Sequence, residues 1–398
     1  MQPAEGTHLL FLDGEGILFS EPAQKLFHLN TSAAFVWYLL EEGDGGRQIK
    51  EKLRTTFSLT PSAAGDLLEQ TEGLFQSLGV LKGFEEPPRA DETLSVPPPE
   101  RHLYNDERFI AECRYRLLSS NIRMRFTHPE QLSHVEPILE HLRERTPSHV
   151  TVAIDLVTDT PGNTVIYRDS VAALTCSEAQ RLAPLVKGLV WQTAVSTHEF
   201  FLDIHAGVVG DEQFAYLFPA APGSGKTTLT AALTHHGFEF FSDEVALLHG
   251  NQFLVEPVPL AICIKDTGMA VLSRYYPQLT DLKLHLRGDG KRVRYMPPPL
   301  EALPPTDTLR PVGAIFFPHY SPHQPTKLEP LKSIEALESL LQECLIVDTR
   351  LNKEKVLGML NWIETIPCYR LTVSDLGEAC SLVGAISDKL EQPDLGQY

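Results

Sequence analysis

Apolar positions along the first eighty residues change from a period of two to a helical period. The string HLLFLDGEGILF alternates on both sides of Asp13, which predicts a β-hairpin. Three helices are predicted after it, with Asn30 as the N-cap of the first and Thr60 as the N-cap of the third. A hairpin followed by three short helices is a winged-helix arrangement, so residues 1–82 are predicted to form a small α+β winged-helix domain.

Proline-rich sequence separates this domain from the rest of the chain. Residues 83–100 contain five prolines and almost no periodic apolar positions, which is typical of a semi-extended linker. Beyond it, short apolar runs such as FAYLFPA and PVGAIFFPHY alternate with helical patterns such as SEAQRLAPLVKGLVWQTAVS. This alternation predicts an α/β domain with a mixed sheet over residues 101–390.

The composition limits the classes of partner. The 398 residues carry a formal charge of −18, and an acidic protein repels both nucleic acid and anionic membranes, so we expect neither as a partner. No apolar run reaches the ~18 residues that span a bilayer, and the start MQPAEGTH has no signal-peptide pattern. The six cysteines are scattered without a Cys-x-x-Cys pair, which fits reduced thiols in a cytoplasm and supports neither a disulfide framework nor a zinc site.

The most informative stretch is FAYLFPAAPGSGKTTLTAALTHHG, residues 214–237, in which an apolar strand, a glycine-rich turn and an alanine-rich helix follow one another. This order is typical of a Walker A loop, whose backbone N–H groups and helix start surround a phosphate. Lys226 can neutralise the β- and γ-phosphate oxygens, and the Thr227 hydroxyl can bind Mg²⁺. The full pattern has glycine where this chain has Ala220, and the simpler alternative is a turn that binds nothing. The residues predicted to contact nucleotide are Pro222, Gly223, Ser224, Gly225, Lys226, Thr227 and Thr228.

Acidic residues follow the next apolar strand. FEFF ends in Ser242-Asp243-Glu244, and Asp243 lies 17 residues after the loop lysine, where phosphate-loop proteins place a Walker B carboxylate. A solvated turn is the alternative for these acids. His205 precedes the loop strand, and a packed or surface histidine is its alternative.

Together these motifs resemble the HPr serine kinase family, and in particular the divergent HPr kinase-related proteins found beside peptide-modification genes. That family has a His-Ala or His-Gly pair 21 residues before the loop lysine and an acidic pair 17 residues after it, and both spacings hold here. The resemblance implies that Asp243 accepts the hydroxyl proton of the acceptor and that Glu244 lies near the metal. It also implies that Lys226 and Thr227 match the phosphate lysine and the magnesium hydroxyl, and that His205 lies close to the transferring phosphate.

Two family features are altered or missing. Cys263 stands where the family has a glutamate that helps to hold metal, and no match to the glycine-rich signature of the family's phosphatase activity is present, so we expect a kinase without the reverse reaction. Three basic residues, Lys265, Arg292 and Arg294, are candidates to contact phosphate or peptide, with a plain basic loop as the alternative.

The amino-terminal segment resembles the PqqD family, the precursor-peptide recognition domains of ribosomally made, modified peptides. The matching string is LFHLNTSAAFVWYLLEEGDGGRQIKEKL, with the Asn30 cap and Trp37. The resemblance implies that a leader peptide adds as a strand along the hairpin edge, with the third helix as the other wall. DNA binding is the alternative for a winged helix, but residues 1–90 carry 7 basic against 13 acidic side chains, which argues against it.

The combined prediction is a cytoplasmic, ATP- and Mg²⁺-dependent kinase that phosphorylates a Ser or Thr hydroxyl of a precursor peptide held by residues 1–82. The alternatives are a P-loop ATPase or small-molecule kinase, and a peptide-binding chaperone with a vestigial nucleotide site. The choice between ATP and GTP, and whether the chain forms a homo-oligomer, are left open.

Overall fold

The computed structural model describes residues 1–83, 108–144, 149–160, 162–347 and 350–391. These residues form two compact units, of which the first contains residues 1–83, 332–338 and 350–365 and the second contains the remainder. The first unit is therefore discontinuous in sequence. The linker predicted over residues 83–100 lies, apart from Gly83, outside the described residues, and the domain boundaries above stay a prediction.

The amino-terminal part of the first unit has three strands and three helices. They are β1 (Thr7–Leu12), β2 (Glu15–Ser20), β3 (Lys25–Leu29), α1 (Thr31–Glu41), α2 (Gly46–Thr56) and α3 (Pro61–Ser77). The hairpin around Asp13 is present, and the strands form an antiparallel sheet in the order β1-β2-β3, in which β3 was not predicted. The predicted caps are confirmed, because Asn30 Oδ1 accepts a hydrogen bond from the Ala33 N–H and Thr60 Oγ1 accepts one from the Ala63 N–H.

The chain from residue 111 to residue 256 alternates short strands with three helices. Its elements are β4 (Ala111–Leu117), β5 (Ser120–Phe126), α4 (Pro129–Leu139), β6 (Val152–Thr160), β7 (Asn163–Arg168), β8 (Val171–Cys176), α5 (Ala179–Ser196), β9 (Leu202–Ile204), β10 (Ala206–Gly210), β11 (Ala215–Pro219), α6 (Lys226–His235), β12 (Glu239–Ser242), β13 (Ala246–His249) and β14 (Leu254–Glu256).

The remaining elements complete the sheets and add four helices. They are β15 (Ile262–Lys265), α7 (Asp266–Leu272), β16 (His285–Leu286), β17 (Arg292–Met296), β18 (Val312–Tyr320), β19 (Lys327–Pro330), α8 (Ser333–Gln342), β20 (Cys344–Val347), α9 (Lys353–Thr365), β21 (Cys368–Val373) and α10 (Leu376–Glu391). None of the described helices is long and apolar enough to cross a membrane.

The second unit contains four sheets, and two of them mix parallel and antiparallel pairs. A six-stranded sheet has the order β12-β10-β11-β18-β21-β19, with β11, β18 and β21 parallel to one another. Every residue of β10 and β11 is buried, as in a sheet whose faces are both covered. A five-stranded sheet, β4-β5-β6-β7-β8, also contains one parallel pair, and two smaller sheets are β14-β13-β9-β20 and β15-β17-β16. The predicted mixed α/β architecture is confirmed at this level.

The first unit is completed by residues from far along the chain. The side-chain amide of Gln24 both donates to the Leu351 carbonyl (2.8 Å) and accepts from the Leu351 N–H (2.7 Å). At the hairpin turn, Asp13 Oδ2 accepts a hydrogen bond from the Ser333 N–H at the start of α8 (2.7 Å). Helix α9 packs against β1, the edge strand opposite β3, within the same unit.

Candidate functional site

The glycine-rich turn joins β11 to α6 as predicted. Gly223 and Gly225 have φ values of 99° and 91°, a region that side chains with a Cβ avoid. A Cβ at either position would meet no atom within 4 Å, so the glycines serve backbone conformation and leave open space above the turn. Ala220 is not among the residues with positive φ, which explains why the first glycine of the Walker A pattern is dispensable here.

The loop lysine is folded back onto the turn. Lys226 Nζ donates to the Ala220 carbonyl (2.6 Å) and approaches the His205 carbonyl (3.4 Å). Lys226 is buried, and burial lowers its pKa to about 8. Because phosphate oxygens are stronger acceptors than neutral carbonyls, an anion on the turn can take over these hydrogen bonds.

One polar atom of the turn has no partner inside the protein. Among the described residues, Ser224 Oγ is buried without a hydrogen bond. A buried hydroxyl without a partner costs roughly 1–3 kcal/mol, so its retention at this place favours a role in ligand binding. The open space over the glycines, the lysine and this hydroxyl fit a phosphate group.

The acidic pair is held in a fixed turn at the end of β12. Ser242 Oγ accepts hydrogen bonds from the N–H groups of Glu244 and Val245, and Asp243 Oδ2 accepts one from the Cys263 N–H (2.9 Å). Asp243 is only 5% exposed, and burial raises the pKa of its carboxyl. A carboxylate with a raised pKa and a fixed orientation is suited to act as a general base.

Lys187 on α5 is part of the same cluster, and the sequence motifs did not predict it. Its Nζ donates to Glu244 Oε2 (3.0 Å), and its ammonium lowers the pKa of Glu244 to about 2. Burial alone would lower the pKa of Lys187, but the carboxylates of Glu244 and Asp243 raise it above its ordinary value. Lys187 therefore stays charged inside the protein and opposes the upward shift in the pKa of Asp243.

His205 connects the loop lysine with the acidic pair. Its Nδ1 lies 2.9 Å from the Glu244 carbonyl, so Nδ1 carries the proton and Nε2 is the acceptor nitrogen of a neutral imidazole. Burial and the nearby Lys226 ammonium lower the pKa of His205, which favours the neutral form. His205 thus fixes the turn that carries Asp243 and Glu244, by a hydrogen bond to the backbone carbonyl of Glu244.

Most of these groups line one cavity of about 310 Å³, whereas Lys187 lines a different cavity, behind Glu244. The predicted residues that line it are His205, Pro222, Gly223, Gly225, Lys226, Thr227, Thr228, Asp243 and Glu244. Ser224 lines an adjoining cavity of about 370 Å³, which shares Gly223, Gly225 and Thr228 with the first and extends to Arg274, Tyr275 and Tyr320. The glycine-rich turn therefore lies between a polar cavity with the acids and a second cavity with aromatic walls.

The basic residues of the cavity differ partly from those singled out in the sequence. Lys265 lines it, but Arg292 and Arg294 approach Asp266 instead, at 3.7 and 3.8 Å, and line neither cavity. Arg287 and Lys291, on the turn between β16 and β17, line the cavity in their place. Cys263, at the position of the missing glutamate, also lines it.

A glycine on β10 allows α6 to lie against the sheet. A Cβ on Gly207 would overlap Thr230 Oγ1 and would approach Lys226 Cγ to 3.2 Å. Thr230 in turn donates to the Lys226 carbonyl (3.0 Å), so this contact lies beneath the first turn of α6. The signal in the sequence is the small pair Ala206-Gly207 in an otherwise apolar strand, which indicates a close approach of backbones.

The first unit offers a second candidate site at the edge of its sheet. Strand β3 pairs with β2 on one side, and no described strand pairs with its other side. Such an edge presents unpaired N–H and C=O groups that can accept an added strand. The opposite edge strand, β1, is the one that α9 covers.

Comparison with known proteins gives likenesses to several solved structures, including the following two. No family model matches the chain, and no curated protein matches it. The Hpr(Ser) kinase/phosphatase from Coxiella burnetii is 13% identical, with 48% of this chain and 99% of that chain covered and a TM-score of 0.24. TbiB1 in complex with the TbiA(beta) leader peptide is 20% identical, with 22% of this chain and 100% of that chain covered and a TM-score of 0.20.

These likenesses are to the two kinds of protein that the sequence motifs resemble, a kinase of the HPr type and a leader-binding protein. Both TM-scores are low, and neither likeness assigns a function to this chain.

Replacing Lys187 with methionine is expected to move the acid limb of the pH–rate profile to higher pH. Loss of the ammonium lets the pKa of Asp243 rise further, and a carboxyl group can act as a general base only when it is deprotonated. We expect a shift of about one to three pH units, measured as kcat against pH. Lys187→Arg keeps the charge and is expected to retain the profile; an unchanged acid limb in Lys187→Met would contradict this role.

Proposed function

We propose that the protein is an ATP- and Mg²⁺-dependent kinase that phosphorylates a Ser or Thr hydroxyl of a ribosomally made precursor peptide. The observation that carries the proposal is that the phosphate turn, Asp243, Glu244 and His205 line one cavity. A turn that merely joined a strand to a helix would need neither the carboxylates nor the buried Lys187 beside it.

The residues of the turn bind and orient the nucleotide. The backbone N–H groups at the start of α6 and the Lys226 ammonium face the phosphates, and Arg287 and Lys291 add positive charge on the other side of the cavity. Phosphoryl transfer needs positioning and charge stabilisation more than covalent chemistry, and these residues supply both. The nucleoside fits the adjoining cavity, where Tyr275 and Tyr320 offer aromatic surfaces.

Thr227 and Glu244 are the residues that would hold Mg²⁺, since a hydroxyl and a carboxylate are oxygen ligands of the kind that it prefers. Bound there, Mg²⁺ neutralises charge on the phosphate oxygens. Asp243 is the base: it orients the acceptor hydroxyl and takes its proton, while the Cys263 N–H and the charge of Lys187 fix its position and its pKa.

The first unit holds the leader of the peptide. An extended segment can pair with the open edge of β3, and backbone hydrogen bonds then supply affinity while side-chain pockets select the sequence. Binding of the leader raises the local concentration of the distant acceptor hydroxyl at the kinase cavity.

The test is to incubate the protein with γ-labelled ATP or GTP, Mg²⁺ and a candidate precursor peptide, and to follow label on the peptide and as free phosphate. We expect label on the peptide, and a rate roughly 10²-fold lower at low peptide concentration when the leader is removed. Free phosphate alone would indicate an ATPase, and label on a small molecule would indicate a different kinase.

Lys226→Ala tests whether the turn binds nucleotide at all. Loss of the charge-assisted hydrogen bonds is expected to weaken Mg²⁺-dependent ATP binding at least about tenfold, measured by calorimetry. Lys327→Ala, at an exposed lysine on β19, is the matched control and should bind as the parent does. A parent protein that binds a leader peptide but no nucleotide would indicate a peptide chaperone instead.

A further inference from the structure

Three metal-ligating side chains meet in the second unit, outside the kinase cavity. Glu256 Oε2 lies 2.8 Å from His198 Nε2 and 3.1 Å from His249 Nε2. One ligand atom from each residue lies within 4.8 Å of the others, and the side chains are 13–19% exposed. The two imidazole rings meet edge to face, with centroids 5.0 Å apart.

The fold brings the three residues together from separate elements. His249 ends β13 and Glu256 ends the antiparallel β14, where Leu247 pairs with Glu256 and His249 pairs with Leu254. His249 and Glu256 are therefore diagonal neighbours on one face of this sheet, a spacing that long side chains can bridge. His198 comes from the connection after α5.

Two further observations favour a ligand site over a simple ion pair. His249 Nε2 is buried and lies 3.1 Å from Glu256 Oε2, but without the alignment of a hydrogen bond. His198 Nδ1 lies 3.1 Å from Ser119 Oγ, which fixes the ring with Nε2 toward the cluster. Ligating histidines are commonly oriented in this way by a second hydrogen bond.

We propose that His198 Nε2, His249 Nε2 and a Glu256 carboxylate oxygen form a binding site for Zn²⁺ or a similar divalent transition-metal ion. Two imidazoles and one carboxylate make a common ligand set for zinc, with a fourth position left for water or another ligand. Tetrahedral bonds of about 2.0–2.2 Å place ligand atoms about 3.4 Å apart, so the cluster needs only small adjustments to close around an ion.

This site is separate from the one proposed for Mg²⁺. It lies at the far end of β13 from Glu244, and it uses nitrogen ligands, which magnesium disfavours. Glu256 also lines a cavity of about 410 Å³ that includes Arg116, Arg143 and Asp307, so a solvent-accessible space borders the cluster on the Glu256 side. The cysteine spacing in the sequence does not indicate this site, because its proposed ligands are two histidines and a glutamate.

The test is calorimetric titration of Zn²⁺ into the full chain after removal of metal by a chelator, in buffer without Mg²⁺ or nucleotide. We expect one equivalent to bind through the cluster, and Co²⁺ to give the visible absorption of a site with nitrogen and oxygen ligands. His249→Gln and Glu256→Gln are each expected to weaken Zn²⁺ binding at least about tenfold. Glu256→Gln keeps the side-chain shape, and circular dichroism establishes that each variant is folded.

Two controls separate this site from other metal-binding groups. His323→Gln removes an exposed histidine, and Asp243→Asn alters the kinase cavity; both are expected to bind Zn²⁺ as the parent does. Absence of Zn²⁺ binding by the parent, or parental affinity in a folded His249→Gln or Glu256→Gln protein, would overturn the proposal. Neither outcome affects the proposed kinase activity, which is measured with Mg²⁺ and ATP.

Discussion

Asp243→Asn is expected to bind ATP within about threefold of the parent affinity and to lower the rate of phosphoryl transfer to the peptide by about 10³-fold. The amide keeps the shape of the side chain, but it cannot take a proton, and general-base catalysis contributes about 10²–10⁴-fold. Nucleotide affinity is measured by calorimetry, and transfer is measured as label on the peptide under single-turnover conditions.

The matched control is Asp266→Asn, the same chemical change at an exposed carboxylate that approaches Arg292 and Arg294 and does not line the cavity. It should leave both measurements unchanged. Normal transfer by Asp243→Asn would show that another group accepts the proton. Loss of ATP binding in that variant would show that Asp243 acts in binding instead.

Gly207→Ala is expected to destabilise the protein by about 2–3 kcal/mol and to weaken ATP binding. The added methyl group would overlap Thr230 Oγ1 and crowd Lys226 Cγ, so either the Thr230 side chain has to rotate or α6, which carries Lys226, has to move away from β10. The urea midpoint of unfolding and the Kd for ATP measure the two effects.

The double variant Gly207→Ala, Thr230→Ala removes the atom that the new methyl group meets, so it should recover much of the stability and the affinity. Gly188→Ala is the matched control, because a Cβ there meets no atom within 4 Å and alanine favours the helix. If Gly207→Ala unfolds at the same urea concentration as the parent, α6 does not depend on a close approach to β10.

Local sequence predicts the geometry of the glycine-rich turn well, because a strand, a positive-φ glycine turn and a helix start are adjacent along the chain. The same holds for the caps at Asn30 and Thr60, where one side chain binds a backbone group three residues later. The spacing of Asp243 from the turn was also enough to predict that the two lie close together, since β12 follows α6 directly.

The rest of the site depends on contacts between residues distant in sequence. Lys187 and Glu244 form an ion pair although they are 57 residues apart in sequence. The sequence pattern around Lys187 predicts only that it lies in a helix, α5. Among the basic residues near 290, pairing between β16 and β17 decides which ones line the cavity, and it selects Arg287 and Lys291 over Arg292. Register of this kind cannot be read from one strand alone.

In the first unit, too, local sequence predicts only part of the fold. Its hairpin and helices follow from local patterns, whereas the contact between Gln24 and Leu351 joins residues 327 positions apart. Strand β3 was missed because KLFHL is short and alternates only weakly.

The discontinuity of this unit has a consequence for synthesis. Its hairpin and three helices emerge early from the ribosome, but α9, which covers β1, follows only after some 350 residues have been translated. Until then the β1 edge stays exposed to other nascent chains. A fragment ending near residue 82 would lack α9 permanently, and we expect it to self-associate more strongly than the full chain.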